Sequence, residues 1–316
     1  MLQVYLDRLA LNYSHLVLEN TMSNDSFAIA LRVGSGLLFA GMVACVKLAA
    51  TSESPTGQIV FFRSAFALIP LVLFLVITRE FPSGLYTKKP IGHLLRCLTG
   101  CVAMFGSFAT LSYLPIAEAT ILTYLSPVLV AILAAVFLKE DVNSTRWMGI
   151  ALGVIGTLVL IVPQLTGEVD QNYAFGIGLG VFTAIVTAFA IIQIRNLART
   201  ENAGAIAFYF ALVCAIAGLM TAPFGWTQPS MPSLLALIGA GLFGGFAHIA
   251  MTLSFKYAEA SKLAPFDYLS LIWAIGTGFA IFGDLPTISF YFALPFILLG
   301  AMLVAFKDGF RRHLPR

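Results

Sequence analysis

The stretch TLSYLPIAEATILTYLS at residues 110–126 returns in altered form as TLSFKYAEASKLAPFDYLS at residues 252–270. Three tripeptides keep their order: Thr110-Leu111-Ser112 with Thr252-Leu253-Ser254, Ala117-Glu118-Ala119 with Ala258-Glu259-Ala260, and Tyr124-Leu125-Ser126 with Tyr268-Leu269-Ser270. Around them Gly36 pairs with Gly180, Gly57 with Gly204, Phe61 with Phe208, Glu140 with Asp284 and Gly156 with Gly300. The offset stays near about 144 residues and drifts by a few, as small insertions between helices would make it. The chain is a tandem duplication, and what each copy contains decides the fold.

Each copy is made of membrane-length apolar runs. Of 316 residues, 59% are apolar and 10% charged, with a mean hydropathy of +0.92. A water-soluble domain holds roughly 45–50% apolar and about 25% charged residues. A helix crossing the hydrocarbon needs roughly 20 apolar residues. Windows of that size predict ten spans, at 27–49, 57–78, 91–113, 116–138, 147–165, 174–194, 203–224, 234–255, 260–282 and 287–306. Each is apolar all round, and nowhere do segments alternate as the strands of a membrane barrel would. The fold class expected is therefore an all-α membrane protein of ten transmembrane helices in two five-helix repeats. An odd number of spans per repeat inserts the second copy upside down relative to the first.

Basic residues set the orientation. Sixteen of the 18 Lys and Arg fall on one side of the spans, among them Arg79, Lys88, Lys139, Arg195, Lys256 and Arg311. The other side receives Lys47 alone, and Arg63 lies within a span. By the positive-inside rule both termini are expected in the cytoplasm of a multi-pass cytoplasmic (inner) membrane protein. Residues 1–26 read as a cytoplasmic extension whose Leu2, Leu6, Leu9 and Leu16 stripe suggests an amphipathic surface helix, translation from Met22 being the alternative. Residues 27–165 form the first repeat, 174–306 the second and 307–316 a basic tail. Four cysteines without clustered His or carboxylates indicate neither a disulfide framework nor a metal site.

Several short patterns are similar to those of EamA-type members of the drug/metabolite transporter superfamily. They are Phe61-Phe62-Arg63-Ser64, Arg96 opening span three, Leu114-Pro115-Ile116-Ala117-Glu118-Ala119-Thr120, Ser126-Pro127, Phe137-Leu138-Lys139-Glu140 and Ala264-Pro265-Phe266-Asp267-Tyr268. The resemblance covers about residues 27–306 and implies an inverted-repeat transporter. Its central cavity would be lined mainly by spans one, three, four, six, eight and nine. Lys139-Glu140 and Gly283-Asp284 stand where the family has Gly-Glu, and read as neutral variation at helix ends.

Ionisable groups deep in a membrane are costly and so become site candidates. Arg63, His248 and Asp267 are the deep ones. Lys47, Arg96, Glu118, Glu259 and Lys262 lie near helix ends, where snorkelling or solvation suffices. His248 and Asp267 flank the hairpin of spans eight and nine at similar depth, about 10–12 Å inside the cytoplasmic boundary. Facing each other, they would form a proton-coupling pair or a hydrogen bond that only pins two helices. Arg63, about 9 Å inside the outer boundary, offers a fork for an anionic substrate group or a structural anchor for backbone carbonyls. Pro127 and Pro265 break corresponding helices and free the carbonyls of Thr123 and Ser261. Beside them, Tyr124, Ser126, Tyr268 and Trp273 offer π-faces and hydroxyls to an amphipathic ligand.

Inverted repeats can rock about an axis in the membrane plane and expose a central site to each side in turn. The expected function is thus secondary transport of a small amphipathic metabolite, amino-acid-like and exported, with proton coupling at His248 and Asp267. Uptake of a cofactor-like molecule such as riboflavin or S-adenosylmethionine is the alternative, and a membrane-embedded enzyme a more distant one. No His-x-x-x-His or Gly-x-Ser-x-Gly pattern supports catalysis, and no Walker motif supports direct use of ATP. The partners expected are a small-molecule substrate, the lipid bilayer, protons and, as an open alternative, a second copy in a homodimer. Neither nucleic acid nor any cofactor is expected.

Overall fold

A computed structural model describes residues 2–126, 128–129, 132–133, 144–166, 171–197, 200–257, 266 and 269–310. Among the described residues there is no strand, and ten helices follow one another. They are α1 (Leu2–Thr51), α2 (Thr56–Ile77), α3 (Pro90–Thr110), α4 (Ile116–Thr123), α5 (Ser144–Thr166), α6 (Gln171–Leu197), α7 (Ala203–Leu219), α8 (Met231–Tyr257), α9 (Leu269–Thr277) and α10 (Ile288–Phe310). Five of them, α1, α2, α3, α6 and α8, contain stretches of 21 to 26 residues long and apolar enough to cross a bilayer. Shorter apolar helices occupy the spans of α5, α7, α9 and α10.

Local sequence explains the helix ends. Pro90 opens α3, where a missing N–H costs nothing. Asn202 caps α7 by accepting a 2.7 Å bond from the Gly204 N–H. After α9 the chain makes one π turn over Gly278–Phe282 and stops at Gly283, whose φ of 68° is open to glycine. The N-terminal extension differs from the separate surface helix its leucine stripe suggested. It is continuous with the first span, because neither glycine nor proline interrupts residues 2–33.

The distribution of polarity is that of a protein in lipid. Ile69, Ile77, Leu94 and Phe182 are exposed, while Lys47, Arg63, Arg96 and Glu118 are buried. An apolar outer surface around a polar interior is stable only where the solvent is hydrocarbon.

The packing pattern repeats the duplication. α1 packs on α8 as α3 packs on α6, and α2 packs on α8 as α3 packs on α7. Likewise α1 meets α9 as α4 meets α6. The remaining principal pairs, α2 with α7, α4 with α9 and α5 with α10, join a helix to its own counterpart. Exchanging each helix for the one five places away therefore maps these contacts onto themselves, as two inverted five-helix repeats require. Glycines permit the closest approaches. A methyl group on Gly300 would stand 2.7 Å from Gly149 O and Gly153 N, and one on Gly218 would stand 2.6 Å from Phe61 N.

Candidate functional site

The contacts place α1, α8, α9, α4, α6 and α3 in an incomplete ring. α9 joins α1 to α4, α6 joins α4 to α3, and α1 continues to α8. Among the described residues α3 and α8 make no principal contact, and α2 and α7, packed on each other, bridge them. α2 and α7 thus stand between α3 and α8, a placement the helix-by-helix reading of the sequence did not reveal.

Arg63 sits where α2 meets α8. Its side chain is 4% exposed, and Nη2 lies 3.3 Å from Nε2 of His248 on α8. A guanidinium only donates, so Nε2 accepts and the imidazole in this contact is neutral, with its proton on Nδ1. Gly244, one helical turn before His248, makes room: a methyl there would stand 3.4 Å from Arg63 Nε. Phe39 of α1 meets the His248 ring edge-on, with centroids 5.1 Å apart.

Arg96 occupies the matching interface. It is 9% exposed, and its guanidinium lies 4.4 Å over the Phe210 ring of α7. A methyl on Gly100 would fall on that guanidinium. Arg96 was expected to snorkel from a helix end; instead it folds back along α3 into the bundle. At the offset that pairs Phe61 with Phe208, the counterpart of Arg63 is Phe210. One arginine therefore leaves α2 toward α8, and the other leaves α3 toward α7. Cys101 of α3 and Cys214 of α7 are buried in the same apolar cluster.

A second cluster forms where α4 meets α9. Tyr124 Oη and Ser270 Oγ are 2.6 Å apart, so two residues of the duplicated Tyr-Leu-Ser meet across the repeats. Ser126 is buried and turns to α6, where Oγ donates to Ala184 O at 3.4 Å. Trp273 lies against Gly36 of α1, 3.6 Å from where a methyl would be. Its buried Nε1 has no hydrogen-bond partner among the described residues. No hydrogen bond joins Arg63 to Tyr124, so the candidates divide into these two clusters. Pro127, Pro265, Asp267 and Tyr268 lie outside the described residues, and with them the expected pairing of His248 with Asp267.

The connections α1–α2, α3–α4, α5–α6, α7–α8 and α9–α10 share one face, here the Lys47 face, and polar contacts between the repeats close it. Lys47 Nζ is 2.6 Å from Asp284 Oδ2 and 3.3 Å from Leu114 O. Glu118 accepts from Tyr173 Oη and, at 3.0 Å, from Thr287 N. Gln58 exchanges bonds with Thr227, and Ser54 Oγ is 3.1 Å from Ser233 Oγ. Lys47 and Glu118 were expected near water, and Asp284 as a neutral variation at a helix end. Lys47 is 7% exposed and Glu118 0%, and each is held by the opposite repeat. Span position alone gave their depth but not the helix facing them.

Among the described residues no group of three His, Cys, Asp or Glu converges to hold a metal. A cleft of about 400 Å³ runs between α3 and α6, lined by Thr56, Cys101, Phe105, Gly106 and Phe182 among others.

The model of the EamA-like transporter family matches twice, at residues 26–162 and 174–306. The pseudopaline exporter CntI of Pseudomonas aeruginosa is 26% identical over 82% of this chain and 88% of its own length. An S-adenosylmethionine uptake transporter of Rickettsia conorii is 29% identical over 72% of this chain and 76% of its own. A riboflavin transporter of Vibrio cholerae is 24% identical over 85% and 90% respectively. One solved crystal structure covers 92% of this chain and 99% of its own length, with a TM-score of 0.61 at 20% identity, a likeness of fold alone.

Proposed function

Because this chain belongs to the EamA-like transporter family, whose named relatives move small molecules and are not enzymes, we propose that it works by alternating access. It exports a small amphipathic, amino-acid-like metabolite across the cytoplasmic membrane, with both termini in the cytoplasm. The moving bodies are the repeats of residues 27–165 and 174–306. The observation that carries this reading is the packing pattern that maps onto itself when the repeats are exchanged. Two such bundles have equivalent contacts to make and break on opposite faces, which is what a rocking exchange needs.

The substrate sits between the two clusters. Tyr124, Ser126, Tyr268 and Trp273 hold its apolar body and hydroxyls, near helices broken at Pro127 and Pro265. The unpartnered Trp273 Nε1 supports this, since a buried indole N–H ordinarily finds an acceptor. Arg63 takes a polar group of the substrate. His248 and Asp267 couple transport to protons. The contact of His248 with Arg63 supports that link, because protonating the imidazole would place two cations 3.3 Å apart and expel one. A second reading, uptake of a cofactor-like molecule, is favoured by the names of the Rickettsia and Vibrio relatives.

Proteoliposomes test both. Saturable counterflow of an amino acid, S-adenosylmethionine or riboflavin is expected, with accumulation when a pH gradient is imposed. His248→Ala and Asp267→Asn should abolish gradient-driven accumulation and leave counterflow largely intact; equal loss of both assigns the pair a structural role. Counterflow of none of a metabolite panel would overturn the transport reading.

A further inference from the structure

We propose that residues 278–287, between α9 and α10, form a hinged strap that Lys47 latches at Asp284 and that swings off α1 as the Lys47 face opens. The inference rests on the transport reading and names the moving part of that face. Lys47 Nζ lies 2.6 Å from Asp284 Oδ2 and 5.2 Å from the centroid of the Phe282 ring. With Leu114 O at 3.3 Å, one ammonium group gathers the end of α9 and the start of α4 onto α1. The other end of the strap is fixed separately. Thr287 N, at the start of α10, donates to Glu118 of α4 at 3.0 Å, where the helix dipole favours a carboxylate. Between the two fastenings Pro286 is buried and Leu285 exposed.

The backbone between them is able to bend. α9 ends in a π turn over Gly278–Phe282, an irregularity that helices keep chiefly at functional sites, and Gly283 follows with a φ of 68°. A methyl on Gly278 would meet nothing nearer than 3.9 Å, and one on Gly283 nothing within 4 Å, so the turn has room to change its dihedrals. The helices on either side differ in freedom. α10 meets α5 backbone to backbone, since a methyl on Gly300 would stand 2.7 Å from Gly149 O and Gly153 N. α9 meets α1 through side chains, Trp273 against Gly36 and the Lys47 latch. Side chains exchange partners more readily than interlocked backbones, so α9 leaves α1 while α10 stays on α5. The change of angle falls on the residues at the element ends, here the π turn and Gly283. Opening gives the buried Lys47 ammonium water in place of its carboxylate.

The test uses full-length protein in nanodiscs, with Cys45, Cys97, Cys101 and Cys214 replaced and spin labels on paired new cysteines. Ser52→Cys with Leu285→Cys measures the strap against the end of α1, and Leu158→Cys with Ile288→Cys measures α10 against α5. All four positions are exposed. Distances are read by double electron–electron resonance. In Lys47→Met the population at a longer strap distance should rise about tenfold, as loss of one charged hydrogen bond implies, while the α5–α10 distance stays unchanged. Asp284→Asn should shift the strap in the same direction, and it decides where Lys47→Met does not fold. An unchanged strap distance in the folded variants would overturn the latch. An α5–α10 distance that lengthens with the strap would overturn the hinge. Counterflow of L-tyrosine, S-adenosylmethionine and riboflavin is read separately on the labelled background. Counterflow beside an unmoved strap leaves the transport reading standing without the strap. A strap that lengthens in a protein showing no counterflow keeps the hinge and removes that reading.

Discussion

Arg96 reaches Phe210 only because Gly100 presents no side chain where the guanidinium lies. The end of an arginine can move, and a methyl there, which would also stand 2.8 Å from the Phe210 ring of α7, displaces both the charge and the ring. Gly100→Ala is expected to cost the cation–π contact, about 0.5–2 kcal/mol. Its mark would be a melting temperature a few degrees lower. A variant that melts no lower would show that the position of the guanidinium over Phe210 adds nothing to stability. Residues of this kind were poorly legible in the sequence. The duplicated Tyr124-Leu125-Ser126 and Tyr268-Leu269-Ser270 stood out because identity needs no geometry to be seen. Arg96, Lys47 and Glu118 read as solvated ends because a one-dimensional span gives depth along a helix. It says nothing of which neighbour faces the side chain, and the carboxylate that meets Lys47 comes 237 residues later.

At the level of elements, α1, α4 and α9 are tied at the Lys47 face by charges that differ in their access to water. The Lys47 side chain is 9% exposed and that of Asp284 32%. Removing the carboxylate strands a buried cation on one carbonyl and the face of Phe282, whereas removing the amine leaves a carboxylate that water can still reach. Asp284→Ala should therefore destabilise more than Lys47→Met, the larger loss being about 1.5–3 kcal/mol, as for a hydrogen bond to a charged group. Thermal unfolding of the two variants side by side checks the order, and the reverse order would mean that the pair is not the contact holding α9 to α1. The extents of spans such as α2 and α8 were legible, since apolar runs of membrane length leave little choice. The inversion of the repeats followed from their odd span count. The continuity of α1 was not legible, because a polar stretch before a span reads as a separate element even when nothing in it breaks a helix.

For the whole molecule, the duplication is nearly symmetric in its packing but not in its charges. At the offset that pairs Gly36 with Gly180, Lys47 corresponds to Ile191, so the second repeat has no cation where the first makes its ion pair with α9. The Lys47–Asp284 ion pair therefore has no equivalent at Ile191. On the proposed cycle it is a contact that must break before the Lys47 face opens. Ser54 and Ser233 offer a direct handle, since their hydroxyls are 3.1 Å apart across the two repeats. In a background with Cys45, Cys97, Cys101 and Cys214 replaced, Ser54→Cys and Ser233→Cys should form a disulfide on oxidation and hold this face shut. Counterflow in proteoliposomes should then fall to background and return on reduction, while oxidation of the background protein alone changes nothing. Ligand binding from the other face should survive the cross-link, because Arg63 lies further into the span along α2 than Ser54 does. Transport that continued undiminished through a complete cross-link would mean that the two repeats do not part at this face during the cycle.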